Sequence, residues 1–486
     1  MKTPPAISAI TLDLGTTSIK AGLLDQHGEL GNIVSRLAPK ITVTGGRYES
    51  DALSYAAAAD QVLSECRSQA DGCSIFGLCS QRSSFLVWEK AGGRPLTPLI
   101  SWQDNRGAAS CGALRGHEQS IRSLTGLPLT PYYFAPKLRL LLRENPDWLA
   151  RLSCGELLAG TLDTFLIWRW SGGKHFLTDA SMAARTLLMD IRLQQWSRTL
   201  CDLFGIPLHI LPEIISSAGM QLRLDNGLIL QASVGDQSAA LVASVSEDRA
   251  EALANLGTGC FVVRYLQKWD AKSDGYLQTL VYQDSTQRAH VAIEGTLNSI
   301  AAALAPYPVG ECRAEDMAAD GIFCLAEPSG LGAPYFCNDL GIRFSRSVEH
   351  LSQRRIAVLL LEAIIFRVAR ILEDFHRESA IERVYLSGGL SELPCLQQGI
   401  ARCVPFDVYR LRQAESSLQG AAILAAGMAP ACCREGEKIS ATHAATALPE
   451  KYRRWKEWLD VLLDSRQELA RLATAAPPSL CRDNPV

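Results

Sequence analysis

The chain has almost no excess charge of one sign, and no long apolar run that is free of charge. Its 48 Lys and Arg residues nearly balance its 51 Asp and Glu residues, which leaves a net charge of −3. This balance gives no sign of a surface for nucleic acids or other polyanions. The most apolar long stretch, 356–372, contains Glu362, Arg367 and Arg370, so it indicates a buried helix rather than a membrane span. We therefore expect neither a nucleic-acid partner nor a membrane.

The sequence also lacks a signal-peptide region and any Cys-x-x-Cys pair. The first five residues lead directly into the strand-like run 7–12, without the apolar segment of a signal peptide. The 15 cysteines are scattered along the chain, so neither a zinc ribbon nor a redox motif is indicated. Reduced thiols in a cytoplasmic protein are the simplest interpretation.

One short phrase occurs twice, about half a chain apart. The copies are Asp13-Leu14-Gly15-Thr16 and Asn255-Leu256-Gly257-Thr258. The first lies between the strand-like runs 7–12 and 19–24, and the second precedes 261–265, a run rich in aromatic and β-branched residues. The pattern predicts hairpins whose tips expose backbone N–H groups and hydroxyls. Such a tip can hold a phosphate, and two copies can clamp one from both sides. An ordinary polar turn is the better interpretation of one copy alone, and the second copy weakens that interpretation.

The order of strand-like and helical runs predicts an α/β protein with two domains. A chain of 486 residues is too long for one ordinary core, and strand-like runs alternate with helical ones in both halves. We place the boundary at a small-residue helix over 239–245, which gives domains 1–238 and 239–486. The predicted elements are strands at 7–12, 19–24, 74–78 and 383–387, and helices at 52–66, from 137 onward, at 356–376 (expected to be the longest of the second half) and within 449–475.

Residues in and after the first copy offer the groups that bind phosphate and a metal ion. Asp13 supplies a carboxylate that can hold Mg²⁺ through water, while Thr16, Thr17 and Lys20 can meet phosphate oxygens. In the second half, Gly388-Gly389 ends a predicted strand sharply. Two glycines there allow close backbone approach by a ligand.

Asp236 is the candidate for acid–base chemistry. In Val234-Gly235-Asp236-Gln237 it follows a short apolar strand and precedes a helix. An Asp there can accept a proton from a substrate hydroxyl that attacks a phosphoryl group. A helix N-cap favours Asp equally well, and spacing alone leaves the two interpretations even.

Two further phrases suit the recognition of a polyol or sugar. Trp102-Gln103-Asp104 combines an aromatic ring, which packs on C–H faces, with hydrogen-bonding side chains for hydroxyls. A surface loop with one buried Trp is the alternative, and these residues alone favour it. Gln81-Arg82 directly follows a predicted strand. It either points into the same cleft or forms a solvated strand end.

These phrases and several others are similar to those of the FGGY family of carbohydrate kinases, and within it most closely to glycerol kinases. The likeness covers most of the chain in the expected order, and although no single phrase is decisive, the ordered set is highly specific. The matching phrases are the Gly-Thr-Thr hairpin, Gln81-Arg82, Trp102-Gln103-Asp104, Gly160-Thr161-Leu162-Asp163-Thr164, Thr178-Asp179, Gly235-Asp236-Gln237, Gly257-Thr258-Gly259-Cys260-Phe261, Glu294-Gly295, Gly332-Ala333-Pro334-Tyr335 and Gly388-Gly389.

The resemblance implies two actin-like domains of the ribonuclease-H type, with ATP and the substrate in the cleft between them. Asp236 matches the general base, and Asp13 helps to place Mg²⁺. The residues expected around ATP are Gly15, Thr16, Thr17, Lys20, Gly257 and Thr258 at the phosphates, and Gly388 and Gly389 beside the adenosine. The residues expected at the polyol are Arg82, Trp102, Asp104, Tyr132, Asp236, Gln237 and Phe261. A small polyol or sugar is the expected partner, and a homodimer is compatible with the resemblance.

Four departures from the glycerol kinase pattern concern the substrate and the nucleotide. Ser83 stands where those kinases have Glu, which removes a charged acceptor and leaves room for something larger. Leu14 replaces a Gln and resembles xylulokinases instead. The segment 296–331 is shorter than usual and two prolines interrupt its predicted helix, while Leu393 replaces an Asn near the adenine.

Three hypotheses follow from these residues. The leading one is an active ATP-dependent kinase for a polyol or small sugar, which the retained Asp236 and both Gly-Thr turns favour. The alternative is a catalytically weak sugar- or nucleotide-binding regulator on the same fold, which the shortened segment and Leu393 favour. A chaperone-like ATPase with an actin fold is the third, and it leaves Trp102 and Gln81-Arg82 without a role.

Overall fold

Two mixed β-sheets, one in each half of the chain, organise the computed structural model of the protein. The structure describes residues 6–475 except 71, 270–274, 338, 413–414, 433 and 442–446, and for 467–475 it describes the backbone alone. The strands of the first half are β1 (Ile7–Leu14), β2 (Ser18–Asp25), β3 (Leu30–Leu37), β4 (Thr42–Thr44), β5 (Arg47–Ser50), β6 (Ile75–Ser80), β7 (Phe85–Glu89), β8 (Leu99–Ile100), β9 (Leu157–Thr161), β10 (Leu177–Asp179), β11 (Met189–Asp190), β12 (Gln195–Trp196), β13 (Glu213–Ile215), β14 (Ala218–Arg223) and β15 (Ile229–Gly235).

The second half contains fewer described strands than the first, and it contains the two longest helices. Its strands are β16 (Glu251–Leu256), β17 (Cys260–Leu266), β18 (Leu277–Gln283), β19 (Ala289–Leu297), β20 (Cys324–Leu325), β21 (Arg343–Phe344), β22 (Arg383–Ser387), β23 (Asp407–Leu411) and β24 (Gly436–Lys438). The α-helices of the described chain are α1 (Ala52–Arg67), α2 (Ala108–Ala113), α3 (Glu118–Thr125), α4 (Phe134–Glu144), α5 (Trp148–Ser153), α6 (Leu162–Trp170), α7 (Ala180–Ala183), α8 (Arg198–Phe204), α9 (Asp236–Ser244), α10 (Ile300–Leu304), α11 (Gln353–Glu378), α12 (Pro394–Cys403), α13 (Ser416–Ala425) and α14 (Ala447–Ala475).

The two large sheets repeat one strand scheme. The strand order is β14-β15-β6-β1-β2-β3 in the first sheet and β18-β19-β17-β16-β22-β23-β24 in the second. In the first sheet, β1, β2 and β3 pair antiparallel in that order, and β1 also pairs parallel with β6, which pairs parallel with β15. In the second sheet, β16, β17 and β19 pair antiparallel in the same way, and β16 pairs parallel with β22, which pairs parallel with β23. The duplicated scheme confirms the predicted α/β class. It also places the two Gly-Thr phrases at equivalent hairpins, between β1 and β2 and between β16 and β17.

Most of the predicted elements are present, with small shifts at their ends. β1, β2, β6, β22 and α1 lie where the sequence predicts them. The helix predicted from residue 137 begins one turn earlier, at Phe134. The expectation about helix length is wrong, because α14 has 29 residues and α11 has 26. Apolar content marks burial rather than length, and α14 carries many charged residues.

The apolar stretch in α11 is a buried helix, as its charged residues predict. Each buried charge has a partner: Glu362 accepts a hydrogen bond from Lys451 Nζ at 2.5 Å, and Arg367 Nε donates to Glu327 Oε1 at 2.9 Å. Paired charges avoid the penalty of isolated ones in an apolar core. In the part of the chain that the structure describes, no helix combines the length and apolarity that a bilayer crossing requires.

The shortened segment of the second half contains one short α-helix and two 3₁₀ helices of a single turn, Val309–Glu311 and Ala314–Asp316. α10 ends at Leu304, directly before the predicted interruption by Pro306 and Pro308. The rest is tied down through Glu327, whose Oε2 accepts hydrogen bonds from the backbone N–H groups of Asn298 and Gly332, both at 2.9 Å. The segment is therefore held against the second sheet by a buried carboxylate.

Two small-residue helices cross between the sheets. An added Cβ on Gly420 of α13 would lie 1.8 Å from the carbonyl oxygen of Ala239 in α9, so only glycine permits this approach. Although α13 comes late in the chain, it packs on the first sheet: Thr11 Oγ1 donates to the Leu418 carbonyl at 2.9 Å. The division into 1–238 and 239–486 stays a prediction, and its boundary falls inside α9.

Replacing Gly420 by Ala tests this crossing. We expect the Cβ clash with a backbone carbonyl to lower the free energy of unfolding by about 3 kcal/mol, measured by urea denaturation. Gly112→Ala is the matched control, because Gly112 also lies in a helix and its added Cβ meets nothing within 4 Å. That change should be neutral or stabilise by up to about 1 kcal/mol. Equal effects of the two substitutions would contradict the close crossing.

Candidate active site

The first Gly-Thr turn is connected to the neighbouring strand ends through Thr16. An added Cβ on Gly15 would lie 2.6 Å from the Ser18 carbonyl oxygen, so the turn requires glycine. Thr16 Oγ1 donates to Gln81 Oε1 at 3.3 Å and accepts a hydrogen bond from Trp102 Nε1 at 2.9 Å. Thr17 is exposed at the tip. The turn is thus rigid at Thr16 and accessible at Thr17.

The second Gly-Thr turn lies against Gly388. The backbone N–H of Gly257 donates to the Gly259 carbonyl at 2.8 Å, and Thr258 is exposed. Gly388 has a φ of 85°, and an added Cβ there would come within 2.5 Å of both Asn255 Oδ1 and the Leu256 carbonyl oxygen. Gly388 therefore has two reasons to be glycine, its backbone conformation and its closeness to this turn. The structure brings these two glycine-rich segments together.

Asp13 and Asp236 form a pair of carboxylates beside the first turn. Asp13 lies near the end of β1, opposite Lys20 in register, and its Oδ1 is buried without a hydrogen-bond partner in the described structure. Burial, and next the negative charge of Asp236, raise the pKa of Asp13 to about 7. Because the negative charge of Asp236 acts on Asp13, a cation bound beside these carboxylates would be favoured. Mg²⁺ is bound in proteins by one or two carboxylates plus water and phosphate, so this pair fits it.

Asp236 is the first residue of α9, whose N-cap is Gly235. Its Oδ1 accepts a hydrogen bond from the Gln237 backbone N–H at 2.7 Å and lies 3.6 Å from Arg82 Nε. About a third of its side-chain surface (33%) stays open, although protein atoms surround it closely. This desolvation raises the pKa of Asp236, and the positive charges of Arg82 and Arg185 act in the opposite direction. Asp236 is therefore not the N-cap of α9, and part of its carboxylate remains accessible to a ligand.

Four predicted substrate residues converge at the junction of the two halves. Arg82 Nη2 donates to Gln237 Oε1, and both side chains line a narrow cavity with Phe261 of β17. Asp236 adjoins it through Arg82. The volume of this cavity open to water-sized molecules is about 20 Å³, about that of one water. A molecule larger than water would fit there only if the two halves separated.

Trp102 and Tyr132 form an aromatic wall in the first half. Their ring centres are 5.4 Å apart, and Tyr133 packs edge-on to Tyr132 at 5.0 Å. Through its indole N–H, Trp102 is also bonded to Thr16. This wall therefore shares a hydrogen-bond network with the first Gly-Thr turn.

Two predicted site residues have other partners in the structure. Asp104, predicted at the polyol, is fully buried, and its carboxylate accepts hydrogen bonds from the Tyr48 backbone N–H at 2.7 Å and from the Arg106 side chain at 2.8 and 2.9 Å. Its oxygens face the protein interior, so the structure contradicts a substrate contact. Lys20 Nζ donates to both oxygens of Glu415 at 2.6 and 2.7 Å. Its charge is neutralised there, and its contact with phosphate stays a prediction.

Ser83 does not present its hydroxyl to the cavity. Its Oγ donates to the Arg185 carbonyl at 2.9 Å, and its backbone adopts a left-handed φ of 64°. Lys137, buried beneath this loop, donates from Nζ to the carbonyls of Ser83 at 3.4 Å and Ser101 at 3.0 Å. Burial lowers the pKa of Lys137 to about 7. These contacts fix the backbone next to Arg82 and Trp102.

Sequence reasoning missed three polar residues near the cavity: Arg185, Thr279 and Glu294. All three are buried, and each has at least one side-chain polar atom without a hydrogen-bond partner in the described structure. Arg185 follows α7 in a run of small and apolar residues, where a charged side chain is unexpected. That contrast is the signal that could have found it. Glu294 belongs to the family phrase Glu294-Gly295, which by itself does not indicate a role for the carboxylate.

Comparisons with known proteins identify the family. A model of the N-terminal domain of the FGGY family of carbohydrate kinases matches residues 8–253, and a model of the C-terminal domain matches residues 252–429. An apulose kinase from Pectobacterium atrosepticum is 32% identical, over 93% of this chain and 97% of its own. A glycerol kinase from Alkalilimnicola ehrlichii is 31% identical, over 92% and 94%. This chain belongs to the FGGY family of carbohydrate kinases.

Solved structures of FGGY kinases share its fold. A Plasmodium falciparum glycerol kinase with ADP and a xylulose kinase from Brucella ovis each superpose with a TM-score of 0.81 at 20% identity, covering 95% of this chain and 99% of theirs. The predicted two-domain actin-like fold is thereby confirmed. As an FGGY carbohydrate kinase, the chain is a phosphotransferase with a hydroxyl group as acceptor.

The charge state of Asp13 should be visible in the stability of the unliganded protein. Because its pKa rises from 3.8 to about 7 on folding, the native state holds a proton that the unfolded chain has released between these values. The contribution of Asp13 to stability therefore falls as the pH rises from about 4 to about 7. At pH 8 we expect the free energy of unfolding of Asp13→Asn to exceed that of the unsubstituted protein by on the order of 2 kcal/mol.

The effect of Mg²⁺ on thermal stability distinguishes a metal-binding role of Asp13 from that of a buried acid without a ligand. Added Mg²⁺ at pH 8 should raise the melting temperature of the unsubstituted protein and not that of Asp13→Asn, at matched ionic strength. The same response in both proteins would show that Asp13 does not hold the ion.

The structural role of Asp104 can be checked separately. Asp104→Asn leaves Arg106 buried beside a neutral side chain, and we expect a loss of about 3 kcal/mol in the free energy of unfolding. KM for the accepted sugar should stay within twofold at a temperature where the variant is folded. A raised KM with unchanged stability would restore the substrate role.

Proposed function

We propose that this FGGY kinase transfers the γ-phosphoryl group of ATP to a hydroxyl of a polyol or small sugar, with Asp236 as the general base. The observation that carries the proposal is the position of Asp236, partly open and next to Arg82 at the cavity between the halves. A carboxylate there can take the hydroxyl proton while the substrate oxygen bonds to the γ-phosphorus and the bond to the β-phosphate oxygen breaks.

The surroundings of Asp236 suit this role. Burial raises its pKa, which makes the carboxylate a better proton acceptor, while Arg82 and Arg185 favour its ionised form. Arg82 is itself held by Gln237, so it can orient a substrate hydroxyl towards the base. Closure of the two halves over the cavity would keep water away from the donor phosphate.

The phosphates of ATP are proposed to lie between the two Gly-Thr turns. Thr17 and Thr258 are exposed at the tips, and Gly388-Gly389 adjoins the second turn, where the adenosine is expected. Asp13, together with Asp236, would hold Mg²⁺; when bound, the ion would neutralise charge on the phosphate oxygens. Among the described residues no cluster of three or more His, Cys, Asp or Glu side chains could hold a metal, so phosphate and water would supply the other ligands.

The substrate is proposed from the pocket and from the relatives. The relatives are named as kinases of apulose, glycerol and xylulose, and the walls formed by Trp102, Tyr132 and Phe261 suit the C–H faces of such molecules. We also propose a cytoplasmic location and a homodimer, which rest on the sequence and on the family rather than on the cavity.

Replacing Asp236 by Asn tests the proposal. We expect ADP release that depends on a polyol or ketose to fall by about 10³-fold, in a coupled assay with glycerol and pentuloses. Asp202→Asn, at an exposed position on α8, is the matched control and should retain full activity. Calorimetry with ATP and Mg²⁺ addresses the alternative of a weak regulator. Full activity in Asp236→Asn would refute the base, and absent nucleotide binding would refute the kinase.

A further inference from the structure

The cavity at the junction has a second wall that the proposed substrate residues do not account for. One wall carries Arg82 and Gln237 from the first half. The opposite wall is the face of the second sheet, where Glu294 of β19 and Thr279 of β18 line the cavity beside Phe261. Glu294 is 3% exposed and Thr279 is 5% exposed. Glu294 Oε1 and Thr279 Oγ1 have no hydrogen-bond partner in the described structure.

Arg185 adds unpartnered donors to the same region. It is 4% exposed, and its Nε and Nη1 atoms lack hydrogen-bond partners among the described residues. Its guanidinium lies 5.7 Å from the centre of the Tyr133 ring. Burial lowers the pKa of Arg185, but Tyr133 and next Glu294 act in the opposite direction and raise it overall. The Arg185 carbonyl also accepts the hydrogen bond from Ser83, the residue directly after Arg82.

These groups are close but are not paired with each other. Neither Arg185 nor Glu294 takes part in an ion pair within 4.0 Å in the described structure, although both are buried. A buried charge without a hydrogen-bonding partner lowers stability, and such groups are few in folded proteins. Glu294 and Thr279 line the cavity with unused hydrogen-bonding groups, and Arg185 offers unpartnered donors next to the loop that carries Arg82. This arrangement is suited to a ligand that satisfies both.

We propose that Glu294, Thr279 and Arg185 form a second substrate subsite, which binds hydroxyl groups of a neutral sugar longer than glycerol. The inference rests on the proposed kinase function and specifies its substrate class. A hydroxyl can donate to Glu294 and accept from Arg185 at the same time. Ser83 cannot take this part, because its hydroxyl is bonded to the Arg185 carbonyl.

The charges around the cavity favour a neutral ligand. Asp236 and Glu294 offset the charges of Arg82 and Arg185, so no excess positive charge remains for a carboxylate to neutralise. A sugar acid that reached this wall would bring its carboxylate towards Glu294, and like charges in a desolvated site repel strongly. Polyol and ketose hydroxyls meet no such penalty.

The position of the subsite requires a long substrate. The reacting hydroxyl lies at Asp236 on the first half, whereas Glu294 and Thr279 belong to the second half. A ligand that meets both walls therefore bridges the two halves, in an arrangement more open than the one described here. Glycerol held at Arg82 and Asp236 is too short to reach the opposite wall, so Glu294 and Thr279 would stay without hydrogen-bond partners. Specificity would then arise from contact with both halves.

The test compares Glu294→Gln with the unsubstituted enzyme on two neutral substrates, xylulose and glycerol. We expect the unsubstituted enzyme to show at least 10-fold higher kcat/KM for the ketose than for glycerol. Glu294→Gln should lower kcat/KM for xylulose 10- to 100-fold, mainly through KM, and change that for glycerol less than twofold. Thr279→Val should show a smaller loss with the same selectivity. Glu382→Gln, at an exposed position of the second half, is the matched control and should change neither.

Thermal unfolding distinguishes a binding role from a structural one. Because Gln removes an unpaired buried charge, the melting temperature of Glu294→Gln should equal or exceed that of the unsubstituted enzyme. A lower melting temperature with equal losses on both substrates would overturn the subsite. Preference for gluconate over xylulose would also overturn it.

Failure of the subsite and failure of the kinase function give different results. Equal kcat/KM for both substrates in every variant would remove the subsite and leave the kinase intact. No ADP release from the unsubstituted enzyme with any substrate would overturn the kinase function. Calorimetry with xylulose would then decide the subsite: binding that Glu294→Gln weakens supports it, and no binding overturns it.

Discussion

The close crossing of α9 and α13 is the contact on which the site depends. α9 begins with Asp236, so the depth at which α13 packs against Ala239 fixes where the catalytic candidate lies. α13 is in turn anchored to the first sheet through Thr11, and Glu415, directly before it, holds Lys20 on β2. One glycine thus sets the relation between the candidate base, the first Gly-Thr turn and both sheets. A bulkier residue at 420 would displace all of them together.

The region around this crossing contains buried charged side chains that have polar atoms without hydrogen-bond partners in the described structure. Asp13, Asp236, Glu294 and Arg185 are placed in a desolvated junction, whereas Arg367, in the core of the second half, forms a buried ion pair with Glu327. The contrast separates the two uses of buried charge. Paired groups stabilise the second half, whereas the junction retains unused hydrogen-bonding capacity and is stabilised by its surroundings. Such a region is poorly optimised for stability and well suited to binding.

The sequence predicted the parts of the molecule that depend on local pattern. The hairpins at both Gly-Thr turns, the strand before Gly388 and the buried helix around Glu362 follow from periodicity and from glycine chemistry. Asp104 was misjudged because one of its partners, the backbone N–H of Tyr48, belongs to β5 and lies 56 residues earlier in the chain. Arg185 and Glu294 were missed for a related reason: whether a charged residue is paired depends on neighbours more than a hundred residues away. The short strands β4, β5, β7, β8 and β9, which form an additional sheet, have too little repetition to stand out.

The packing of α13 also bears on how the protein forms during synthesis. The first sheet is complete at Gly235, yet one of the helices that cover it begins at Ser416. For the time that the ribosome needs to add nearly two hundred further residues, the apolar side of that sheet, including Cys79 and Val234, lacks its final cover. The nascent chain therefore emerges with its first half unfinished, and only the arrival of a helix near the carboxyl end completes it.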